Sequence, residues 1–488
     1  MVDKSFSFND ETLYNLWGAE DAESERPERL KEYFVANQAY KNLRAELPIR
    51  IVVGYKGVGK SALMRRSYLD DLADNKLALW LRVDELSEAT PAKDDDYLAR
   101  ISHWKSGLSE AIKNRVLDDY YSPTSSSENF FAGKGRLTNA ITAILNEYSK
   151  LQEGDVKEAI AKNFLAEKQV VVYIDDLDRG WKARAVDVQN MDAFVNAVRD
   201  ISVDHPSVRF KLAFRTDVYN LIRTKEFSDK VGRHVIFLDY TQHEILAIIA
   251  ARVSTYFSLG YSTDDILKLK QPAISSKILS HVIDEEYYGR GRWDGYPTYK
   301  VLLSLIRHRP RDMIKLLYGA SRKAHRNKSR VIGTVAIESE IPQYSNDRIQ
   351  DLVNEFRTEL PNIEELLYAM RPKWKKGAKY VDFFRFTDDE LLSKLNNVQQ
   401  RVNVLFSDRR QVNAKVLREF LYKINFIEAR KLEKGGSKIL RERYSSNPLL
   451  AKKETQFGWG WEIHPSFRAA LEPDSVKKVL EVILDELT

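Results

Sequence analysis

The 488-residue chain contains no cysteine. Disulfides, thiol catalysis, iron–sulfur clusters and cysteine zinc sites are thereby excluded, and a reducing, cytoplasmic setting is expected. Long hydrophobic runs are missing as well. No stretch approaches the ~18 apolar residues that would cross a membrane, and the N-terminal MVDKSFSFNDETLYNL lacks the apolar core of a signal peptide, so no membrane partner is expected. Nor does one sign of charge dominate. Lys and Arg number 77 against 71 Asp and Glu, a net charge of +6, so any nucleic-acid contact has to come from local patches. The eight histidines show no metal-ligand spacing, and no fixed-period repeat is visible. What is present is an ordinary globular composition, 43% hydrophobic and 30% charged, with room for about three domains at roughly 100–200 residues each.

The polar first 27 residues end near Pro27, and residues 28–43 have helical spacing. Pro48 introduces the apolar run Ile49–Gly54, which reads as a buried strand followed by a helix from Lys60. Further strands are predicted at 77–83, 169–174, 208–214 and 235–238, with a helical insert over 85–165 broken at 122–127. Strands alternating with helices imply a parallel sheet covered on both faces. Thr241 reads as an N-cap opening a helical region to about 330. Residues 331–350, with Gly333, Pro342 and Asn346, read as a connector, and the rest as a further unit. The expected domains are therefore an N-terminal segment 1–27, a core 28–240 containing the insert 85–165, a helical region 241–330 and a C-terminal domain 331–488.

Gly54-Tyr55-Lys56-Gly57-Val58-Gly59-Lys60-Ser61 fits the pattern G-x-x-x-x-G-K-[ST] without a mismatch. Glycines let the backbone curl so that successive N–H groups point at phosphates. Lys60 supplies a point charge to them, Ser61 a hard oxygen for Mg²⁺, and the helix start, with Ala62 in its first turn, a positive end for the same anion. The run Val170–Ile174 then carries Asp175 and Asp176 to the carboxyl edge of the sheet. Asp175 is the expected Mg²⁺ partner. Asp176 sits where a base orienting the attacking water belongs, with Asp178 as the second candidate. Arg215, ending the fourth predicted strand, could sense a third phosphate or could pair with Asp217 at the surface. Arg307-His308-Arg309-Pro310-Arg311-Asp312 looks like a helix start, from which Arg309 or Arg311 could close over a nucleotide.

GYKGVGKSA, the DDLDR strand end, the arginine-terminated fourth strand and R-P-R-D together resemble a bacterial P-loop ATPase of the AAA+/STAND superclass over residues 28–325. DDLDR is similar to the KAP group, and R-P-R-D to the lid of origin-recognition-type ATPases. The resemblance implies ATP and Mg²⁺ as ligands, strand order 5-1-4-3-2, a helical lid with Arg311 acting on the nucleotide, and a C-terminal α+β winged-helix-like domain. Residues 420–471 fit the last loosely, with Trp461–Pro465 as a return strand. It also implies a homo-oligomer, with Arg233 placed either as an arginine finger or in an interdomain ion pair. Control of a partner effector, as in antiphage defence, is a further implication. Unlike KAP relatives the chain shows no membrane segment, and unlike many STAND proteins no repeat array, so sensing falls to a separate partner or to the C-terminal unit.

Residues 307–330 hold nine Lys or Arg against one acid, and Arg371-Pro372-Lys373-Trp374-Lys375-Lys376 interleaves an aromatic with cations. These patches read either as solvated faces or as a nucleic-acid footprint, the rival to a nucleotide-driven switch. An ATP-binding oligomeric scaffold with little turnover is the third reading. Tyr33, Phe34 and Tyr40 read as core packing or as an adenine contact, and His464 as a hydrogen-bonding residue at the wing end.

Overall fold

A computed structural model describes residues 6–19, 22, 24–74, 76–82, 86, 96–121, 169–222, 231–289, 294–372, 383–433, 439–452 and 458–472. Most of the insert 85–165, Trp374 with its flanking lysines, and the tip of the expected wing lie outside them. The chain divides into two compact units: Asp21–Lys31 with Ala36–Leu238, and Met1–Glu20 with Glu32–Val35 and Asp239–Thr488.

Helix α1 (Asp10–Trp17) belongs to the second unit, where it buries Leu13, Leu16 and Trp17. The helical spacing over 28–43 resolves into two helices, α2 (Pro27–Tyr33) and α3 (Gln38–Arg44). The reason is local: the Asn37 side chain accepts from the Tyr40 amide at 3.0 Å and starts a new helix there.

The first unit is built on a five-stranded parallel sheet in the order β2-β3-β4-β1-β5, the 5-1-4-3-2 arrangement read from its other edge. The strands are β1 (Ile49–Gly54), β2 (Leu77–Leu81), β3 (Val170–Ile174), β4 (Val208–Arg215) and β5 (Val235–Phe237). All five residues of β3 are buried, as are Ile51, Val52 and Val53 of β1, because helices cover both faces. Those helices include α4 (Lys60–Ala73), α5 (Tyr97–Tyr121), α6 (Ala185–Asp204) and α7 (Thr216–Ile222). This is an α/β core, a parallel sheet in that strand order with helices on both faces.

The second unit continues with α8 (Gln242–Tyr256), whose N-cap Thr241 and Glu244 exchange hydrogen bonds in a capping box. Helices α9 (Thr263–Lys268) and α10 (Gln271–Lys277) follow. An antiparallel hairpin of β6 (Glu286–Tyr288) and β7 (Asp294–Pro297) then interrupts the region expected to be helical throughout. After α11 (Thr298–Ser304) comes α12 (Pro310–Arg326), with Pro310 at its start as expected.

The stretch 331–350 is not a connector. From Thr334 on it lies in α13 (Thr334–Phe356), 23 residues that run through Pro342 and bury Ile337, Ile341, Tyr344, Arg348, Leu352 and Phe356. An apolar face at helical spacing overrides the breaker signals. Beyond α14 (Ile363–Ala369), the unit presents β8 (Arg385–Phe386), α15 (Asp388–Arg401), α16 (Ala414–Lys423), β9 (Ile427–Leu432), β10 (Ile439–Glu442), β11 (Gly460–Ile463) and α17 (Pro465–Leu471). The sheet order is β10-β9-β11-β8, with every pairing antiparallel. A short strand, two helices and a returning antiparallel pair make a winged-helix-like α+β domain, with β10 as an added strand.

Candidate functional site: a phosphate loop and its acidic edge

β1 lies between β4 and β5, and its last residue, Gly54, feeds a tight loop into α4. Gly57 and Gly59 have φ of 78° and 105°, the left-handed region that side chains with a Cβ avoid. A Cβ on Gly54 would come within 2.7 Å of Val58 Cγ1 and 3.3 Å of the Leu238 carbonyl oxygen. The loop therefore needs glycine at the positions where the sequence has it. Tyr55 and Val58 are buried beneath it, while Lys56 is exposed. Lys60 arches back over the loop, its Nζ donating to the carbonyls of Gly54 at 3.0 Å and Tyr55 at 3.3 Å. Its charge is thus already located inside the curl. Ser61 and Ala62 follow, half-buried, in the first turn of α4.

Asp175 follows the last residue of β3 and is 6% exposed. Its Oδ1 accepts the Asp176 amide at 2.9 Å, whereas Oδ2 is buried with no hydrogen-bond partner. Burial raises its pKa, opposed by the Ser61 hydroxyl, the Asp176 amide and the Lys60 charge. The Mg²⁺ candidates Ser61 and Asp175 are therefore neighbours in space although they come from different elements. An orphaned buried carboxylate oxygen beside a serine hydroxyl fits a hard divalent cation. Among the described residues no cluster of three or more His, Asp or Glu could hold a metal by itself.

Asp176 is solvent-facing and non-glycine at φ 55°, a strained conformation that turns the chain sharply off the sheet edge. Partial desolvation and the adjacent Asp175 charge push its pKa up, against Lys60, Arg179 and Arg215. Asp178 is also raised, by burial, with Arg215 and Lys60 opposing. Arg215 is the β4 partner of Gly54 in the parallel register, so it stands beside the start of the phosphate loop. Its Nε lies 3.1 Å from Asp178 Oδ2 and donates to Asp217 Oδ1 at 3.1 Å, while Nη2 donates to Asp217 Oδ2. The fold thus gathers Lys60, Ser61, Asp175, Asp176, Asp178 and Arg215 at one edge of one sheet, and the Arg215–Asp217 pairing accompanies that placement.

Arg311 belongs to the second unit, half-buried in the first turn of α12. Its neighbours in sequence are buried inside that unit. Arg307 grips Asp312 through Nε and Nη2 at 2.9 and 3.2 Å, and Arg348 reaches the same carboxylate at 2.6 Å. Burial would raise the Asp312 pKa, but the two guanidiniums outweigh it and hold it well below the carboxylate range. Arg309 is 3% exposed and ion-paired with Glu355 at 3.3 Å, which makes it a core residue of the second unit. The basic count over 307–330 therefore overstates the surface patch by these two arginines. Arg233 is exposed in a short 3₁₀ turn just before β5.

Tyr33 packs under the Arg252 guanidinium, 4.0 Å from the ring centre, and the Tyr40 hydroxyl binds Asp70, which with burial raises its pKa to about 12. One is a cation–ring contact and the other a hydrogen bond, both within the protein. His464 Nδ1 caps α17 through the Ser466 amide at 3.1 Å, and burial lowers its pKa well below the usual range.

Sequence reasoning missed a polar knot beneath α4. Lys211 Nζ donates to Asp71 and Tyr173 at 2.8 Å and to Ser67 at 3.0 Å. Burial drops Lys211 to about 8, while Asp71, pushed up by burial, is held below its ordinary value chiefly by Lys211. A lysine set between Phe210 and Leu212 in the buried middle of β4, VRFKLAFR, was the available signal.

No protein-family profile matches the chain. It is 21% identical over 395 residues to the 80.3 kDa protein ascribed to transposon gamma-delta of Escherichia coli K12, covering 73% of this chain and 54% of that protein. The chain thus spans about half the length of the curated relative it matches. Among solved structures it is similar to the ORC2 protein of Aeropyrum pernix in ADPNP and ADP complexes, with TM-score 0.42 and 10% identity over 92% of this chain and 94% of that one. Cdc6p of Pyrobaculum aerophilum aligns at TM-score 0.33 and 13% identity, over 95% and 99% of the two chains. The RuvB Holliday junction branch migration motor of Thermotoga maritima aligns at 0.29 and 13%, over 70% and 81%.

Proposed function

We propose that the chain binds ATP with Mg²⁺ at the 54–62 loop, hydrolyses it, and works as a nucleotide-dependent switch. One observation carries this reading: Lys60 held within the glycine loop, with the orphaned Asp175 oxygen beside Ser61 at the same sheet edge. The backbone N–H groups of Gly54–Ala62 and the Lys60 ammonium would cradle the phosphates. Ser61 and Asp175 would hold Mg²⁺, which when bound neutralises charge on the phosphates. Asp176 would accept a hydrogen bond from the attacking water, and Arg215 would lie against the terminal phosphate.

Arg311 acting from the lid, a homo-oligomer in which Arg233 is a finger supplied by a second copy, and control of a partner effector in antiphage defence in the cytoplasm belong to the same proposal. They rest on the resemblance to AAA+/STAND ATPases. The absence of a helix long and apolar enough to cross a membrane, among the described residues, is compatible with it.

Phosphate release at saturating ATP tests the reading. Lys60→Ala should abolish it, and Asp176→Asn should slow it at least ~100-fold while ATP is still bound. Turnover by either variant at the wild-type rate would refute the assignment.

A second reading has an observation of its own. Arg311, Lys315, Tyr318, Arg322 and Arg326 fall on one face of α12, half-buried to exposed, at a spacing that makes a basic stripe with an aromatic in it. Such a face suits a nucleic-acid backbone. By contrast α16, second helix of the winged-helix-like domain, exposes Lys415 and Glu419 of opposite sign. Retention on DNA or RNA that weakens steeply between 50 and 200 mM salt, on the order of 10-fold or more, is expected if the stripe binds. A flat salt response would remove this reading.

A further inference from the structure

The turn after β3 carries one acid more than a metal partner and a water-orienting base require. Asp178 is committed elsewhere: its carboxylate lies 3.1 Å from Arg215 Nε, and the same guanidinium edge is held by the buried Asp217. The side chains of Arg215, Asp178 and Asp217 are 18%, 14% and 8% exposed, so the three-member contact is shielded from water rather than spread over the surface. Asp176 makes no ion pair among the described residues and faces solvent at the strand end. The two candidate bases are thus in different chemical situations. One carboxylate is directed at an arginine, and the other is available to a water.

We propose that Asp178 is a positioning residue: together with Asp217 it grips the Arg215 guanidinium beside Gly54, and this grip lets the site distinguish a nucleoside triphosphate from a diphosphate. The inference rests on the reading of 54–62 as a phosphate site. An arginine has several rotatable bonds, and ordering it only when a ligand arrives would take back much of what its contact with the third phosphate contributes. Two carboxylates order it beforehand. They also offset its charge, so that the guanidinium does not simply attract any anion entering the loop. The part of nucleotide affinity that depends on Arg215 is then the part specific to the third phosphate.

The test is equilibrium titration of the full chain with ATP and with ADP, each with Mg²⁺. It compares wild type, Arg215→Ala, Asp178→Asn, Asp178→Glu and the double variant Arg215→Ala/Asp178→Asn. Arg215→Ala should lower the ratio of ATP to ADP affinity about tenfold, the scale of one lost charge-assisted hydrogen bond. Asp178→Asn should lower the same ratio, Asp178→Glu should restore most of it, and the double variant should fall no further than Arg215→Ala alone. Asp217→Asn, with an unchanged thermal transition as the check on folding, should repeat the effect of Asp178→Asn. A ratio unmoved in both asparagine variants, with turnover lost in Asp178→Asn, would make Asp178 the water-orienting base and overturn the proposal. Fully additive losses would also overturn it. Wild-type protein binding neither nucleotide would instead contradict the phosphate-site reading itself.

Discussion

Glu340 shows how strongly one side chain's surroundings set its chemistry. It is 8% exposed on α13, against Gly319 of α12, and a Cβ at Gly319 would fall 2.1 Å from its Oε1. Burial raises its pKa from an ordinary 4.5 to about 7, with Lys323 opposing and Asp347 reinforcing. A folded-state pKa above the unfolded one means no penalty below about pH 4.5 and a loss of stability as pH climbs through 7. Glu340→Gln should therefore stabilise the protein at pH 8 by about 1–2 kcal/mol, after discounting for solvent screening, and by little at pH 5. Thermal melts of both proteins at the two pH values check this; a shift equal at both would contradict it. The residues of the candidate phosphate site obey the same logic but were easier to find. Gly57 and Gly59 must adopt positive φ, and Lys60 and Ser61 must follow them, so backbone geometry leaves its mark in the sequence. The roles of Asp176 and Asp178 were not legible. Which acid meets Arg215 depends on where β4 lies beside β3, and spacing along the chain does not encode that.

At the scale of elements, the five core strands were readable because a parallel sheet buried on both faces leaves short, nearly continuous apolar runs. Helix limits were less so. Gly333, Pro342 and Asn346 read as breakers over 331–350, yet the face that α13 buries decides the outcome. The reverse happened over 28–43, where uniform helical spacing concealed the Asn37 cap. In the 241–330 region, β6 and β7 pair over only three or four residues, too short for a periodic signal. The Lys211 knot joins α4, β3 and β4, and its members lie up to 144 positions apart, so only the fold reveals it. Breaking such a buried pair from one side leaves a charge without its partner, so these residues tie the helix that begins with Lys60 to the strand that ends with Arg215.

For the whole molecule, the second unit gathers parts far apart in sequence. Trp17 of α1 donates its indole N–H to Ser321 of α12 at 3.0 Å. Asp239 and Tyr240, where the long segment of this unit begins, are held by Arg443 and Ser445 at 3.3 Å and by His308 at 3.1 Å. Burial and the Arg443 charge lower His308 to about 4, so it is neutral at physiological pH and its ring can donate to the Tyr240 carbonyl. These ties lie within one compact unit that holds both the 241–330 helices and the winged-helix-like domain, which sequence patterning divided at 330. The account as a whole depends on a triphosphate site built by Lys60 and the acids after β3. Calorimetric titration of ATP into the folded chain, with and without Mg²⁺, tests it most directly. Saturable binding of about one ATP per chain, stronger with Mg²⁺ and lost in Lys60→Ala, is the predicted result. No heat of binding from wild-type protein with an intact thermal transition would contradict it.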